Sequence, residues 1–335
     1  MKLTKLTRRG TGLLVSCVFA IPVLAILFFG RGSSDFPPGS PGPEVAITIN
    51  SGDYGSAIAS NLASHGVIKS ASTFLKVLSQ DPRGNSIAPG SHRIETHLPA
   101  VLALSELLDT KRNHGAIAVT EGLTYSDIVK LLKSAGISSS SSTPKPFLAN
   151  PRTSLEGQLF PATYFFAPGT SSNSALSSMV AKFHDLATST GLLAGYEQYS
   201  PYEVLTVASM AQIEGDPTNF QKVARVIYNR LHMGMPLQLN STVQYAANLR
   251  GQIALSRNAT RINSPFNTYI HVGLPPTPIS NPGEAAISAA LHPADGNWLY
   301  FITVKPHDTR FTNDYQTFQS WVTQYNNNLA NGAFK

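Results

Sequence analysis

The apolar positions of the chain follow two kinds of pattern. Residues 11–30 form an uncharged, almost wholly apolar run, and about 20 such residues span one bilayer as a helix. After this run, short alternating stretches and longer stretches of helical periodicity follow one another, which predicts strands and helices in a mixed order. The pattern therefore predicts an α+β protein that begins with a single N-terminal transmembrane helix.

The most apolar predicted helix beyond that run covers Tyr202–Glu214. Because nearly every face of this helix is apolar, we expect it to be buried. Its start is marked by Ser200 as N-cap, by Pro201 at the first helical position and by Glu203, which completes a Ser-x-x-Glu capping box. Gly215 marks its end.

Glu214 stands at a junction of two helices, since Asp216-Pro217 predicts the start of another helix that runs to about Met233. A carboxylate at the end of a buried helix is partly desolvated, which raises its pKa, as a general acid requires. A helix-end Glu that is exposed or paired with an Arg is the structural alternative. Neighbours two apart on a helix face different sides, but the break at Gly215 can re-aim Asp216, so an assisting role for Asp216 stays open.

Basic residues flank the apolar run, and no acidic residue precedes Asp35. Because four basic residues lie on its N-terminal side, the positive-inside rule places residues 1–10 in the cytoplasm. We expect a single-pass protein of the cell membrane whose chain beyond Arg31 is extracytoplasmic. A cleaved signal peptide is the alternative interpretation of the same run.

The net charge of +6 also comes mostly from these flanks. Five of the 25 basic residues lie there, so beyond Arg31 the remaining 20 face 19 acidic residues. This nearly neutral balance argues against nucleic-acid binding, which needs a concentrated basic surface. Cys17, the only cysteine, lies inside the apolar run, and the nine His residues show no ligand spacing. The sequence therefore predicts neither a metal site nor a cofactor.

Six motif regions follow one another between residues 155 and 283. They are LEGQLFPATY at 155–164, ASMAQIE at 208–214, VARVIYNRL at 223–231, GMPLQLNSTVQY at 234–245, FNTY at 266–269 and GLPPTPISNPG at 273–283. Taken together and in this order, they resemble the YceG-like (MltG) family of endolytic murein transglycosylases. The resemblance spans about residues 45–320.

The resemblance implies that Glu214 is the catalytic acid, because it matches the second Glu of the family's Ala-Ser-(apolar)2-Glu-Lys-Glu motif. Gln212 and Ile213 replace the first Glu and the Lys of that motif, and Asn240-Ser241 stands where the family often has Asp-Pro. A lytic transglycosylase needs only one carboxyl group. The implied reaction cleaves the β-1,4 bond between MurNAc and GlcNAc and leaves a 1,6-anhydro-MurNAc end, without water or a cofactor.

Glycan-binding sites combine flat polar side chains with aromatic faces. Candidates of these types occur in the matching motifs, and they are Gln238, Asn240, Thr242, Tyr245, Asn267 and Tyr269. Each of them has a structural alternative, since buried Asn and Tyr side chains commonly satisfy backbone groups.

An internal repeat precedes the motifs. Residues 47–66 match residues 117–136, and each copy predicts a short strand, a Gly turn and a helix closed by Gly. Between the copies we predict a helix near 71–79, a strand near 90–96 and a helix near 99–108. This order is similar to a LysM domain, a small glycan-binding module that the YceG-like family carries. A generic α/β spacer is the alternative.

The predicted organisation has five parts. They are a cytoplasmic tail (1–10), a transmembrane helix (11–30), a Pro/Gly/Ser linker (31–44), a LysM-like region (45–144) and a mixed α+β catalytic domain of the YceG-like type (145–335). A low-complexity Ser run at 138–142 favours the last boundary.

The leading hypothesis is a membrane-anchored lyase that cuts nascent peptidoglycan strands and so terminates their elongation. The resemblance also implies partners among penicillin-binding proteins or other proteins of cell-wall synthesis. One alternative is a non-catalytic glycan-binding scaffold, which the substitutions at Gln212 and Ile213 keep open. Another is a muramidase that uses water, with Asp216 or a further acid as second carboxylate, and it would leave reducing MurNAc ends.

Overall fold

A computed structural model of the chain describes residues 35–334, except 51, 115, 167–168 and 250–258. Helices and strands alternate along these residues, which confirms the predicted α+β class. The predicted transmembrane helix at 11–30 lies outside the described residues. Within them, no helix has both the length and the apolar content needed to cross a bilayer.

The described residues divide into two compact units. Unit 1 consists of residues 35–47, 54–87 and 93–109, and unit 2 consists of residues 48–53, 88–92 and 110–334. Residues 110–144, which the sequence grouped with the LysM-like region, therefore fall into the same unit as the motif regions. The LysM-like character of residues 45–144 stays a prediction.

Unit 1 is built mainly from three helices and parts of two strands. Its elements are β1 (Glu44–Ile49), α1 (Gly55–Ser64), α2 (Ala71–Gln80), β2 (Gly90–Glu95) and α3 (Ala100–Leu108). Helix α2 begins after Ser70, whose hydroxyl accepts the backbone N–H of Thr73, as an N-cap does. Its core includes the fully buried Leu62, Phe74 and Ile94.

Unit 2 holds the remaining elements. They are β3 (Asn113–His114), β4 (Ala116–Ala118), α4 (Tyr125–Ser134), β5 (Thr163–Phe165), α5 (Ser172–Ser189), α6 (Pro201–Glu214), α7 (Phe220–His232), α8 (Asn240–Ala247), α9 (Glu284–Leu291), β6 (Tyr300–Lys305), β7 (Asp308–Thr312) and α10 (Tyr315–Ala330).

The strands form three small sheets. Strands β1, β2 and β3 are neighbours in that order, and β2 runs antiparallel to β3, with Ser91 opposite His114. Strands β4 and β5 pair antiparallel, as do β6 and β7, where a bulge lies between Thr303 and Lys305.

The internal repeat predicts two helices correctly. Helices α1 and α4 begin at Gly55 and Tyr125, so they keep the spacing of the sequence repeat. Each is closed in the same way, because Gly66 and Gly136 both have positive φ angles, of 70° and 79°. Gly tolerates this backbone region without steric cost, which explains why both copies end on Gly.

Helix α6 forms the centre of the core of unit 2. Eight consecutive residues, Val204–Ala211, are buried, and α6 contacts α7, α8 and α9. Its N-terminus carries the predicted capping box, since Ser200 accepts from the Glu203 N–H and Glu203 accepts from the Ser200 N–H at 2.8 Å. A helix so enclosed and capped holds its last residue, Glu214, in a fixed place.

Candidate functional site

The end of α6 is set by close packing against α7. Gly215 has an extended backbone, with φ −121°. A Cβ atom at this position would lie 3.2 Å from Phe220 and 3.3 Å from Val223, which is tighter than ordinary packing. Gly215 therefore lets α7 approach the end of α6, and Glu214 is left half-buried at that junction.

The Glu214 carboxylate lies at the N-terminus of α8. Its Oε1 atom accepts the backbone N–H of Ser241, the second residue of α8, at 3.0 Å. The N-terminus of a helix favours a negative charge, through its free N–H groups and its dipole. Glu214 thus has a donor that stabilises its ionised form.

Two opposing influences act on the pKa of Glu214. Burial raises the pKa above its usual range, and the hydroxyl and backbone N–H of Ser241 lower it, with burial prevailing. The Ser241 hydroxyl is near enough to act electrostatically, but it makes no hydrogen bond of acceptable geometry within the described residues. Glu214 is therefore a carboxylic acid that keeps its proton to higher pH than an exposed Glu, and whose conjugate base is still stabilised.

A cleft of about 510 Å³ opens in front of Glu214. One part of its lining comes from residues 237–240, which lead into α8, and another comes from β6. Aromatic side chains dominate the rest, and they include Tyr269, Tyr300, Phe301, Tyr315, Phe318, Tyr325 and Phe334. The cleft thus combines one carboxyl group with many flat apolar faces.

Three of the six predicted binding residues line this cleft together with Glu214. They are Gln238, Asn240 and Tyr269. The Tyr269 hydroxyl donates to Oδ1 of Asn240 at 2.6 Å, which fixes both side chains beside the acid. Gln238 is exposed and has a positive φ of 51°, and its backbone N–H donates to the Thr268 carbonyl at 3.0 Å.

The other three predicted residues do not line the cleft, and their polar groups bind protein atoms. Thr242 is fully buried and donates to the Leu239 carbonyl at 2.7 Å. Asn267 is fully buried as well, and its amide donates to two carbonyls while accepting the Tyr269 N–H at 3.0 Å. The Tyr245 hydroxyl donates to Oε2 of Glu156 at 2.9 Å. The structure therefore gives these three residues supporting contacts.

Residues 47–324 match the sequence model of the YceG-like family. The chain belongs to this family. It is 37% identical over 168 residues to an endolytic murein transglycosylase of Bacillus subtilis, over 50% of this chain and 46% of that protein. It is 33% identical over 186 residues to a protein of the same name from Streptococcus pneumoniae, over 54% of this chain and 34% of that protein.

The fold has a counterpart among solved structures. A YceG-like protein of Listeria monocytogenes superposes with a TM-score of 0.52 and 25% sequence identity, over 83% of this chain and 98% of that one. The match to each of the two transglycosylases, by contrast, spans less than half of that relative's length.

The two departures from the YceG-like motif have structural roles in this chain. Gln212 Oε1 accepts the backbone N–H of Gly283, the N-cap residue of α9, at 2.9 Å. Ile213 packs beside Gly122, where a Cβ atom would lie 3.2 Å from its Cδ1. Both side chains therefore join α6 to neighbouring segments without adding a charge beside Glu214.

Asp216 is held in a turn between α6 and α7. Its Oδ1 accepts the N–H of Thr218 at 2.9 Å and the Asn219 amide at 3.1 Å. The hydrogen bond from the Thr218 hydroxyl is the main cause that lowers the Asp216 pKa. Among the residues that the structure describes, Glu214 is the carboxylate that lines the cleft, and Asp216 does not.

The cleft also contains residues that were not among the predicted site residues, although Arg230 lies within the motif at 223–231. Arg230 lines it from α7, and Tyr315, Phe318 and Tyr325 line it from α10. The α10 residues could have been recognised from the sequence, because positions 315, 318 and 325 lie on one face of the predicted helix. Arg230 could have been recognised as a charged residue on the helix face that also carries the buried Val223 and Ile227.

The polar groups of the cleft suit hydrogen bonding to hydroxyls and amides more than metal binding. Within the described ranges, no group of three or more His, Cys, Asp or Glu side chains lies close enough to hold a metal ion. The neutral polar side chains of the lining are Gln238, Asn240 and Thr303, together with four Tyr hydroxyls. These donors and acceptors match the hydroxyl and N-acetyl groups of amino sugars.

Proposed function

We propose that this YceG-like protein is an endolytic lytic transglycosylase that cleaves the MurNAc–GlcNAc β-1,4 bond of peptidoglycan strands and leaves 1,6-anhydro-MurNAc ends. The observation that carries the proposal is the Glu214 carboxyl group, which has a raised pKa and a donor for its ionised form at the edge of an aromatic cleft. The names of the two transglycosylase relatives support the same reaction.

The first step is protonation of the leaving group. Protonated Glu214 donates its proton to the oxygen that joins MurNAc C1 to GlcNAc O4, and the C1–O bond breaks. Positive charge develops at C1, and the neighbouring N-acetyl group stabilises it. Glu214 becomes a carboxylate, which the Ser241 N–H at 3.0 Å then stabilises.

The second step returns the proton to Glu214. The carboxylate removes the proton of the C6 hydroxyl of the same MurNAc, and O6 forms a bond to C1. The 1,6-anhydro ring closes without water, and the enzyme is restored. One carboxyl group thus serves as acid and then as base, which agrees with a cleft whose described lining offers Glu214 and no second carboxylate.

The binding residues fall into two groups in this proposal. Gln238, Asn240 and Tyr269 contact the sugars beside the bond that breaks, because they line the cleft with Glu214. Thr242 and Asn267 act on the substrate indirectly, since their side chains bind the Leu239 carbonyl and the Tyr269 N–H, and Tyr245 does so through its hydrogen bond to Glu156.

The cellular setting is part of the proposal and rests on the sequence. Residues 11–30 would anchor the protein in the cell membrane, with the catalytic domain extracytoplasmic. Placed there, the enzyme would cut nascent strands as penicillin-binding proteins or other synthetic enzymes produce them, and so terminate elongation. The LysM-like region would grip the same strands.

The chemistry of the product ends tests the reaction. The full chain is incubated with uncross-linked glycan strands in ¹⁸O-labelled water, and products are read by mass spectrometry. Internal cuts with 1,6-anhydro ends and no label support the transglycosylase. Labelled reducing MurNAc ends would identify a muramidase instead, and strand binding without any cleavage would favour a scaffold.

A further inference from the structure

Arg230 is a charged residue in a position where its α7 neighbours are apolar. Only 7% of its surface is exposed, and it lines the same cleft as Glu214. A guanidinium group is always protonated in proteins and carries five N–H donors in a fixed fork. Its location therefore puts a positive charge into the aromatic cleft that it shares with Glu214.

Backbone carbonyls use only part of this fork. Nε donates to the Leu299 carbonyl at 2.6 Å, and Nη1 donates to the carbonyls of Leu237 at 2.6 Å and Pro236 at 3.3 Å. The guanidinium carbon lies 5.3 Å from the centre of the Tyr300 ring. Nη2 donates no hydrogen bond to any described residue, so both of its N–H groups are free for a ligand.

The positive charge has no acidic partner in the described part of the chain. Arg83, which is exposed, and Arg310, which is half-buried, each pair with a carboxylate two residues away, Asp81 at 2.7 Å and Asp308 at 2.8 Å. Buried Arg230 has no Asp or Glu within ion-pair distance among the described residues, and Glu214 is not one of its electrostatic neighbours. Burial without a counter-ion is costly, and a substrate anion would remove that cost.

We propose that Arg230 binds a carboxylate of the glycan strand and makes the cleft selective for strands that carry it. This inference rests on the proposed transglycosylase function and names a recognition element for its substrate. Two sources supply such a carboxylate: the lactyl group of a peptide-free MurNAc, and the peptide attached to that group. Pairing of this carboxylate with Nη2 would orient the sugar in front of Glu214.

The test compares substrates within each enzyme variant. Full-length protein is given peptide-free and peptide-bearing strands, each with native carboxylates or with the carboxylates converted to methylamides. The ratio of kcat/KM for native over amidated strands is independent of how much enzyme is folded. For wild type we expect a ratio of about 10 to 100, as for a hydrogen bond to a charged group.

The variants separate recognition from structural support. In Arg230→Gln the ratio should fall to about 1, and in Arg230→Lys an intermediate value should remain because the charge is kept but the fork is lost. The matched control is Arg225→Gln, since Arg225 also lies on α7 and donates to a loop carbonyl, that of Ala294 at 2.7 Å, but does not line the cleft. It should keep the wild-type ratio.

The two strand types identify the source of the carboxylate. Discrimination only among peptide-free strands assigns it to the lactyl group, and discrimination only among peptide-bearing strands assigns it to the peptide. A wild-type ratio of 1 on both types would overturn the proposal. So would an Arg230→Gln variant that keeps the wild-type ratio.

A binding experiment separates this inference from the reaction itself. Glu214→Gln and the double variant Glu214→Gln/Arg230→Gln are titrated with native and amidated strands, and Kd is measured by calorimetry. One outcome is that the wild-type protein cleaves no strands while the Kd values still show a preference for native strands that depends on Arg230. In that case the transglycosylase proposal fails and the carboxylate site stands. If strands are cleaved without charge preference, or neither cleaved nor bound, the carboxylate site is rejected.

Discussion

At the scale of single residues, Glu214 has to satisfy two requirements that have opposite effects on its pKa. An acid must hold its proton until the glycosidic bond begins to break, and the same group must then exist as a carboxylate. Burial serves the first requirement and the Ser241 N–H at 3.0 Å serves the second. The motif identified Glu214 from its sequence position, but it could not reveal the N–H of Ser241, which comes from a segment 27 residues further along the chain.

The raised pKa of Glu214 predicts a specific pH dependence. The proton-donating form is present below the folded-state pKa, so kcat should be high on the acid side and fall as pH rises through that value. Ser241→Pro, which places the residue that the family often has there, removes both the N–H and the hydroxyl that lower this pKa. The descending limb of the kcat–pH profile should then move to higher pH.

Ser241→Ala is the control for that variant, because it removes the hydroxyl and keeps the N–H. Its profile should move in the same direction as that of Ser241→Pro but less far. A limb that stays in place or moves to lower pH in Ser241→Pro would show that this N–H does not act on the group that titrates.

At the scale of elements, α8 is the part that connects the acid to the rest of the site. Its first turn binds Glu214, and its second turn carries Tyr245, which donates to Glu156 at 2.9 Å. Glu156 is only 3% exposed and also accepts from the Tyr125 N–H and the Asn281 amide. Hydrogen bonds to the buried Glu156 carboxylate therefore connect α8 to α4 and to the segment before α9.

Removal of the Tyr245 hydroxyl should weaken this connection between α8 and Glu156. In Tyr245→Phe a buried acceptor loses a donor, so we expect the free energy of unfolding to fall by about 1–3 kcal/mol. Tyr202→Phe is the matched control, since the Tyr202 hydroxyl is buried and has no hydrogen-bond partner among the described residues. Urea unfolding of both variants measures the difference, and an equal loss in the two would contradict the role given to Tyr245.

Element boundaries were predictable where the determinants are local. The capping box of α6 and the Gly-closed repeats α1 and α4 lie where the sequence placed them. The sequence placed the start of α7 at Asp216-Pro217, and this was wrong by three residues, because the helix begins at Phe220. The Asp216 side chain does accept the N–H of Thr218, as a cap does, but residues 217–219 form a turn before the helix.

At the scale of the whole molecule, the cleft is assembled from segments that are distant in sequence. Glu214, the 237–240 segment, β6 and α10 all contribute to it. The aromatic positions of α10 are visible in the sequence, but which surface they cover depends on long-range packing. For the same reason, residues 110–144 could not be assigned to unit 2 from local patterns.

The aromatic lining predicts a contribution of α10 to substrate binding. Tyr315 is 57% exposed and lines the cleft, so Tyr315→Ala should cost little stability. It should raise KM several-fold and leave kcat nearly unchanged, because the change removes an aromatic contact to the sugars and leaves Glu214 and its Ser241 donor in place. Gln316→Ala, at an exposed neighbouring position outside the cleft lining, is the control for steady-state kinetics on glycan strands. An unchanged KM in Tyr315→Ala would place the sugars elsewhere.

The most direct test of a single-carboxyl mechanism compares turnover by Glu214→Gln and Asp216→Asn of the full chain on uncross-linked strands. We expect Glu214→Gln to lose activity by at least about 100-fold, the scale of general acid catalysis, with strand binding retained. Asp216→Asn should keep activity close to wild type, since Asp216 is held in its turn by Thr218 and Asn219. Substantial turnover by Glu214→Gln, or loss of turnover in a folded Asp216→Asn, would contradict Glu214 as the sole catalytic carboxyl group.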